Sequence, residues 1–365
     1  MLIYIDNTIA EYLKSNHLDT TQQAFFSSLA LSYQRGKCVV FGCLESLEAL
    51  RRAFGPPIDG IYKAILTKYS ENGSVAQWTT IAYIISCQEE GGELSKLPGI
   101  LEGKAIYLSV EDAAQMNWSL GSCLLAENLS DCEFYETVGK YYAKKNNIRK
   151  IQVSFHREQG GGSEISSVLV KCVKTDGIPT LCLSDSDMKF GPTVKYGNPP
   201  KGGTYISCAR ESSRLIKEGF GARFYFPLVS VHEIENLIPY SFLNKLGDGF
   251  CSQEAQKLID ELRKIENGSP ILFYDFKNGV SIDPSETSGK YWGEVFDRTC
   301  FEEGQQQFCS ITGPHILDRA NKYIAKHGLV SIALDPSLDS YLFDVWNNLG
   351  QIIYSWGCAS CPMRA

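Results

Sequence analysis

The middle of the chain alternates between apolar runs and amphipathic segments, which is the pattern of a parallel α/β fold. A mainly apolar segment at 123–126, an alternating apolar–polar segment at 151–155 and a mainly apolar segment at 178–183 predict strands. Between the first two, residues 131–145 place apolar side chains on one helical face. A second amphipathic segment precedes the third predicted strand and ends at Gly177. Strands and helices that alternate with short connections imply right-handed crossovers and a parallel sheet.

The first 115 residues show a weaker α/β pattern. Apolar runs at 2–5 and 37–42 predict strands, and residues 21–34 and 44–54 predict helices. Other segments are less specific: 75–87 fits a helix or a buried strand, 91–103 is typical of a linker, and strand character resumes at 105–110. We therefore predict an N-terminal α/β domain of uncertain role (1–115), a central domain (116–285) and a mainly helical C-terminal extension (286–365).

Composition supports a globular protein with a large core. The chain has 365 residues, of which 44% are hydrophobic and 21% charged. These proportions exclude a disordered chain, a coiled coil and a collagen-like fibre. The net charge of −7 argues against a protein that coats nucleic acid non-specifically. No apolar stretch approaches the roughly 20 residues of a membrane span, and we expect no membrane association.

The 13 cysteines do not resemble an extracellular disulfide framework, because they are odd in number and scattered through apolar segments. We interpret most of them as reduced core residues of a cytoplasmic protein, which also shows no N-terminal signal peptide. Cys358 and Cys361 have the spacing of a zinc or redox pair. Cys300 and Cys309 are candidates to complete a four-cysteine site, and the alternative is a frayed tail.

Three pairs of acids follow apolar runs rather than lying on a polar face. Residues at the carboxyl ends of parallel strands meet at one edge of the sheet. Clustered carboxylates repel each other unless a cation neutralises them, and oxygen ligands suit Mg²⁺ or Mn²⁺. Two such ions can activate water and stabilise the leaving oxygen of a phosphodiester. The pairs are Glu127 with Asp131, Asp185 with Asp187, and Glu233 with Glu235.

These motifs resemble the Toprim domain, the metal-binding fold of type IA and II topoisomerases, bacterial primases and OLD-family nucleases. The resemblance lies in Leu125–Asp131 and the aspartate pair, although Asn128 stands where the family usually has Gly. The His-Glu-Ile-Glu-Asn-Leu segment at 232–237 is similar to OLD-like Toprim proteins of phage-defence systems. Tyr274–Gly279 contains a lysine of the kind that often serves catalysis in OLD nucleases. The resemblance covers about residues 119–240 well and 270–280 weakly.

The resemblance implies a Rossmann-like parallel sheet with helices on both faces and a site for two Mg²⁺ or Mn²⁺ ions. Glu127 would be the first metal ligand and a general base or acid, and Asp131 would support the same ion. Asp185 and Asp187 would hold or bridge the second ion. Glu233 and Glu235 would complete its shell, and Lys277 would neutralise the pentavalent phosphate.

The resulting hypothesis is a metal-dependent endonuclease that hydrolyses DNA or RNA, as an effector of an anti-phage or toxin-like system. Catalysis would depend on Glu127, Asp185, Asp187 and Lys277. We expect an oligomer or complex subunit. Since the chain has no P-loop, any ATP dependence would come from an ATPase partner. The alternatives are a Toprim primase or topoisomerase-type enzyme and a non-catalytic sensing or scaffolding subunit.

Several of these residues also have simpler explanations. Asp131 has the position of a helix cap, and His232 that of a core or capping histidine. Lys277 precedes an Asn-Gly pair that is typical of a turn. Asp6 follows a strand, as in PIN-type nucleases, but without a partner set of acids.

Overall fold

Two parallel β-sheets organise the chain. The computed structural model describes residues 1–87, 104–243, 245–246, 253–265, 269–297, 307–308, 311 and 315–363. The first sheet has four strands in the order Val39–Gly42, Leu2–Ile5, Ile81–Ser86 and Lys104–Ser109, all parallel. The prediction of an α/β fold with a parallel sheet is confirmed. Residues 75–87 form a short 3₁₀ helix and then a strand, whereas the predicted linker at 91–103 lies outside the described residues.

The second sheet carries the acidic motifs. Its strands lie in the order His156–Gln159, Cys123–Ala126, Thr180–Cys182 and Phe224–Tyr225, and all are parallel. Glu127 follows the second strand of this order and Asp185 follows the third. The prediction that these acids come after neighbouring parallel strands is therefore confirmed.

The predicted place of one strand in this sheet is wrong. The alternating segment at 151–155 does form a strand, Ile151–Val153, but this strand pairs antiparallel with Cys358–Ser360. The sheet uses the polar segment His156–Gln159, which lies at the sheet edge and is partly exposed. An edge strand has one neighbour and tolerates charged side chains, so its sequence lacked the apolar signal on which the prediction depended.

Helices cover both faces of the second sheet. Since successive residues of a strand point to opposite faces, its side chains are divided between two cores. Leu124 and Ala126 belong to the main core, which also includes the buried residues of helix Leu129–Lys145. Cys123 and Leu125 belong to a smaller core, formed with the helices Ile165–Val170 and Gly203–Lys217. The four cysteines of the smaller core are free thiols, as predicted: Cys123, Cys172, Cys182 and Cys208.

The main core extends through all three predicted domains, and it contains Ile3, Phe134 and Trp346. The domain boundaries themselves stay a prediction. The helices that surround the two sheets are Thr8–Ser15, Thr20–Gln34, Leu44–Ala53, Ile58–Thr67, Tyr69–Gly73, Val110–Ala114, Leu129–Lys145, Ile165–Val170 and Gly203–Lys217. Those of the remaining chain are Tyr240–Leu243, Gln253–Leu262, Ser269–Leu272, Thr287–Phe296, Ile316–His327 and Phe343–Gly357, and a short ladder pairs Val280–Ser281 with Gln307–Phe308.

The carboxyl-terminal segment is an ordered strand rather than a frayed tail. Ser360 donates a backbone hydrogen bond to the Cys38 carbonyl (3.1 Å), and its hydroxyl donates to the Tyr33 carbonyl (2.8 Å). Cys358 is buried in this strand, whereas Cys361 is exposed. The proposed completion of a zinc site by residues 300 and 309 lies outside the described residues.

Two further features concern the first sheet and the helices. Asp6 is buried, and its carboxylate accepts a hydrogen bond from the Thr8 N–H (3.0 Å) at the start of a helix. This contact gives Asp6 a structural role. None of the helices in the described part of the chain has the length and apolar character to cross a membrane.

Candidate metal centre

Glu127 is positioned at the junction of a buried strand and a helix. Its carbonyl accepts a hydrogen bond from the Gly161 N–H (3.0 Å), so the glycine turn after the neighbouring strand holds the Glu127 backbone. The next residue, Asn128, precedes helix Leu129–Lys145, and its N–H donates to Asp131 Oδ2 (3.0 Å). Asn128 is therefore the N-cap, and Asp131, in the first turn of the helix, is its partner in a capping box. The Asp131 carboxylate is also buried.

The aspartate pair lies in a loop that is bonded to the 231–234 segment. Asp185 Oδ1 accepts a hydrogen bond from the Ile234 N–H (2.9 Å), and the Asp187 N–H donates to the His232 carbonyl (3.0 Å). Asp187 has a left-handed backbone (φ 52°). The Gly202 N–H donates to the Ser186 carbonyl (2.9 Å), and a Cβ at Gly202 would overlap the Asp187 carboxylate. These contacts fix the loop that presents both aspartates.

The segment that contains Glu233 and Glu235 is held against residues 271–275. The Asn236 side chain donates to the carbonyls of Ile271 (3.0 Å) and Tyr274 (2.8 Å), and its oxygen accepts from the Glu233 N–H (3.0 Å). The His232 N–H donates to the Leu272 carbonyl (2.8 Å). Residues that are about 40 positions apart in sequence therefore lie side by side.

Lys277 lies in a turn and also contacts the acids, so both interpretations of its sequence apply. The turn is closed by a bond from the Gly279 N–H to the Asp275 carbonyl (2.9 Å), and Gly279 has a positive φ of 74°. Lys277 Nζ lies 3.2 Å from Glu233 Oε2 and 3.1 Å from Glu235 Oε1. The lysine thus supplies a positive charge between two carboxylates that are largely buried.

The carboxylates lie close enough to alter each other's ionisation. Burial raises the pKa of Asp185 well above its usual range, and the charges of Glu127 and Glu235 raise it further. Burial and then the charge of Asp187 raise the pKa of Glu127. Burial also raises the pKa of Asp131, to about 7. The structure therefore brings all seven predicted residues into one electrostatic cluster.

The surrounding charges act differently on Glu233 and Lys277. Burial raises the pKa of Glu233, and the Lys277 ammonium offsets this only in part. Burial favours the neutral form of Lys277, but the charges of Glu235 and Glu233 outweigh it and raise the pKa of the lysine. The cluster still contains more acids than bases.

The carboxylate oxygens of this cluster are suitable ligands for a divalent cation. Glu235 is 6% exposed, and its Oε2 atom is buried with no hydrogen-bond partner. A buried carboxylate oxygen without a donor is costly, and a cation would satisfy it. Carboxylate oxygens in this number suit Mg²⁺ or Mn²⁺. The other residues that would hold an ion here are Glu127, Asp131, Asp185, Asp187 and Glu233.

Among the residues that the structure describes, the group whose ligand atoms all lie within 4.8 Å of one another is His232, Glu233 and Asp275. Two of its members were not predicted as ligands. The sequence favours a core or capping role for His232, and it indicates only that Asp275 belongs to the motif around Lys277. Their sequence signal was adjacency: each is within two residues of a predicted site residue.

Comparisons with known proteins do not extend this description. The chain matches no protein-family model, no curated protein and no solved structure.

Proposed function

We propose that this protein is a metal-dependent nuclease with a Toprim-type carboxylate site. The observation that carries the proposal is the convergence of Glu127, the Asp185–Asp187 loop and the Glu233–Glu235 segment at the carboxyl edge of the second parallel sheet. In open α/β sheets this edge is where ligands bind. Acids that repel each other at such an edge favour a function that uses a divalent cation.

Each residue has a task in this proposal. The oxygen ligands for Mg²⁺ or Mn²⁺ come from six acids: Glu127, Asp131, Asp185, Asp187, Glu233 and Glu235. A bound divalent ion would supply Lewis-acid activation of water and would neutralise charge on the phosphodiester. Glu127 can exchange a proton with the attacking or leaving oxygen, since its raised pKa brings it closer to neutral pH.

Lys277 contributes a charge that is not tied to a metal ion. Its side chain is 43% exposed, so the ammonium group has access to solvent while it contacts Glu233 and Glu235. We propose that it pairs with a phosphate oxygen of the substrate, where negative charge accumulates during cleavage. From the Toprim resemblance we propose DNA or RNA as the substrate and an effector role in an anti-phage or toxin-like system, in which an ATPase partner or an oligomer presents the site.

Cleavage assays with an Asp185→Asn variant test the proposal. Plasmid DNA and structured RNA are incubated with the full-length chain in Mg²⁺ or Mn²⁺. We expect cleavage by the wild type and at least a 100-fold loss in the variant, since Asn keeps the shape of Asp185 but lacks its charge. Asp344→Asn, at an exposed helix position, is the control and retains activity. Equal cleavage by wild type and Asp185→Asn contradicts the proposal.

A non-catalytic sensing or scaffolding subunit is a second candidate, and the Lys277 contacts favour it. An internal ammonium group already compensates two carboxylates without any metal ion. This candidate predicts that calorimetry detects no binding of Mg²⁺ or Mn²⁺. A Toprim primase or topoisomerase-type activity would instead be detected as nucleotide incorporation or plasmid relaxation.

A further inference from the structure

We propose that His232, Glu233 and Asp275 form a site for one divalent first-row transition ion, which shares Glu233 with the carboxylates that would hold Mg²⁺. The three residues place a ring nitrogen and two carboxylate oxygens within 4.8 Å of one another. This inference rests on the proposed function for its chemical purpose, but it concerns the class of metal and is tested by metal binding alone.

The orientation of His232 prepares its Nε2 atom as a ligand. Its Nδ1 lies 3.1 Å from the Met188 carbonyl, which can only accept, so Nδ1 carries the hydrogen. In the neutral ring the lone pair is then on Nε2. Histidines that bind metals usually donate their other ring nitrogen to a backbone carbonyl or a carboxylate in this way. The side chain is 7% exposed and has little freedom to leave this orientation.

The spacing of the candidate ligands also fits an ion. His232 Nε2 and Asp275 Oδ2 are 3.6 Å apart, which is longer than a good hydrogen bond. Two ligands at roughly 2.1 Å from one ion are about 3.0–3.6 Å apart for angles from 90° to nearly 120°. Asp275 is held independently, because its Oδ1 accepts hydrogen bonds from the N–H groups of Lys277 (2.9 Å) and Asn278 (2.7 Å). Its Oδ2 accepts one hydrogen bond from the Asn278 side-chain amide (3.0 Å), which leaves a second lone pair for an ion.

Two buried carboxylate oxygens support a cation: Glu233 Oε2, within this group, and Glu235 Oε2, two residues later, accept no hydrogen bond. The Oε1 atom of Glu235 contacts the same Lys277 ammonium as Glu233. Imidazole together with carboxylates suits Mn²⁺, Fe²⁺ or Zn²⁺, whereas Mg²⁺ prefers oxygen ligands alone. The histidine is therefore what distinguishes this site from the carboxylate centre.

Mn²⁺ binding followed by electron paramagnetic resonance tests the inference. We expect the wild-type chain with one equivalent of Mn²⁺ to show coupling to a ¹⁴N nucleus in pulsed spectra. The coupling is lost in His232→Gln, and Mn²⁺ affinity falls at least about tenfold, as for other residues that orient or bind a metal. His156→Gln is the matched control, because His156 is partly exposed and lies 3.4 Å from Glu158, and it keeps the coupling.

Absence of ¹⁴N coupling in the wild type, or its persistence in His232→Gln, overturns the inference. The wild-type measurement decides the question even where a variant fails to fold. The result is also separable from the proposed function. Cleavage without ¹⁴N coupling leaves the nuclease proposal standing and removes this site, whereas coupling without cleavage does the reverse.

Discussion

At the scale of single residues, Lys277 supplies positive charge that partly offsets the repulsion within the acidic cluster. Its ammonium group lies within 3.2 Å of Glu233 and 3.1 Å of Glu235. The turn that contains it was visible in the sequence, since Asn278-Gly279 is a turn signal. Its contact with residues about 40 positions earlier was not, because neither periodicity nor spacing reports which loops meet. Only the family resemblance placed Lys277 near the acids.

Removing the Lys277 charge should destabilise the protein. In Lys277→Met the two glutamates lose their counter-charge while the alkyl chain is kept. Breaking a buried ion pair costs about 3–5 kcal/mol, and the 43% exposure of Lys277 reduces this to about 1–3 kcal/mol. Urea unfolding at pH 8 without metal measures the change.

Lys195→Met is the comparison for this prediction. Lys195 pairs with Glu294 at the surface, where ion pairs contribute little, so we expect a change below about 1 kcal/mol. The same free energy of unfolding for Lys277→Met and the wild type would show that the ammonium group does not stabilise the cluster.

At the scale of elements, the sequence predicts the central strands of the second sheet, which are buried on both faces, but it does not predict the edge strand His156–Gln159. Cys123–Ala126 and Thr180–Cys182 are continuous apolar runs, so they were found together with the acids that follow them. His156–Gln159 is polar because it has one strand neighbour. Ile151–Val153 alternates as a strand does, but the sequence pattern does not show which strand it pairs with. Its partner, Cys358–Ser360, comes from the far end of the chain, so the prediction assigned Ile151–Val153 to the wrong sheet.

Two adjacent glycines allow the aspartate loop to be tested. A Cβ at Gly202 would overlap the Asp187 carboxylate, whereas a Cβ at Gly203 meets nothing within 4 Å. We expect Gly202→Ala to displace Asp187 and to reduce divalent-metal affinity and cleavage at least about tenfold, with a loss of about 1–3 kcal/mol in stability.

Gly203→Ala introduces the same atoms one position later, at the start of helix Gly203–Lys217. It should keep wild-type metal affinity, and its stability should equal or exceed that of the wild type, because alanine restricts the unfolded chain. Calorimetric metal titration of both variants measures the difference. Similar affinities for the two variants would mean that Asp187 is not a ligand or that the loop adapts.

At the scale of the whole molecule, the buried acids make stability depend on pH. The folded-state pKa of Asp131 is about 7, compared with an ordinary value of 3.8, and those of Asp185, Glu127 and Glu233 are also raised. Between these values the folded chain binds more protons than the unfolded chain. The stabilising contribution of these groups is therefore complete below about pH 4 and is lost as the pH rises through each folded-state pKa, which for Asp131 is about 7.

We therefore expect the metal-free protein to melt at a higher temperature at pH 5.5 than at pH 8. Asp185→Asn cannot ionise, so its melting temperature should exceed that of the wild type by several degrees at pH 8, and the difference should shrink towards pH 5.5. Asp344→Asn should show no pH-dependent difference from the wild type. Saturating Mn²⁺ should raise the melting temperature of the wild type at pH 8, because a ligand that binds the folded state stabilises it. A difference between wild type and Asp185→Asn that does not change with pH would place the source of the pH dependence outside the acidic cluster.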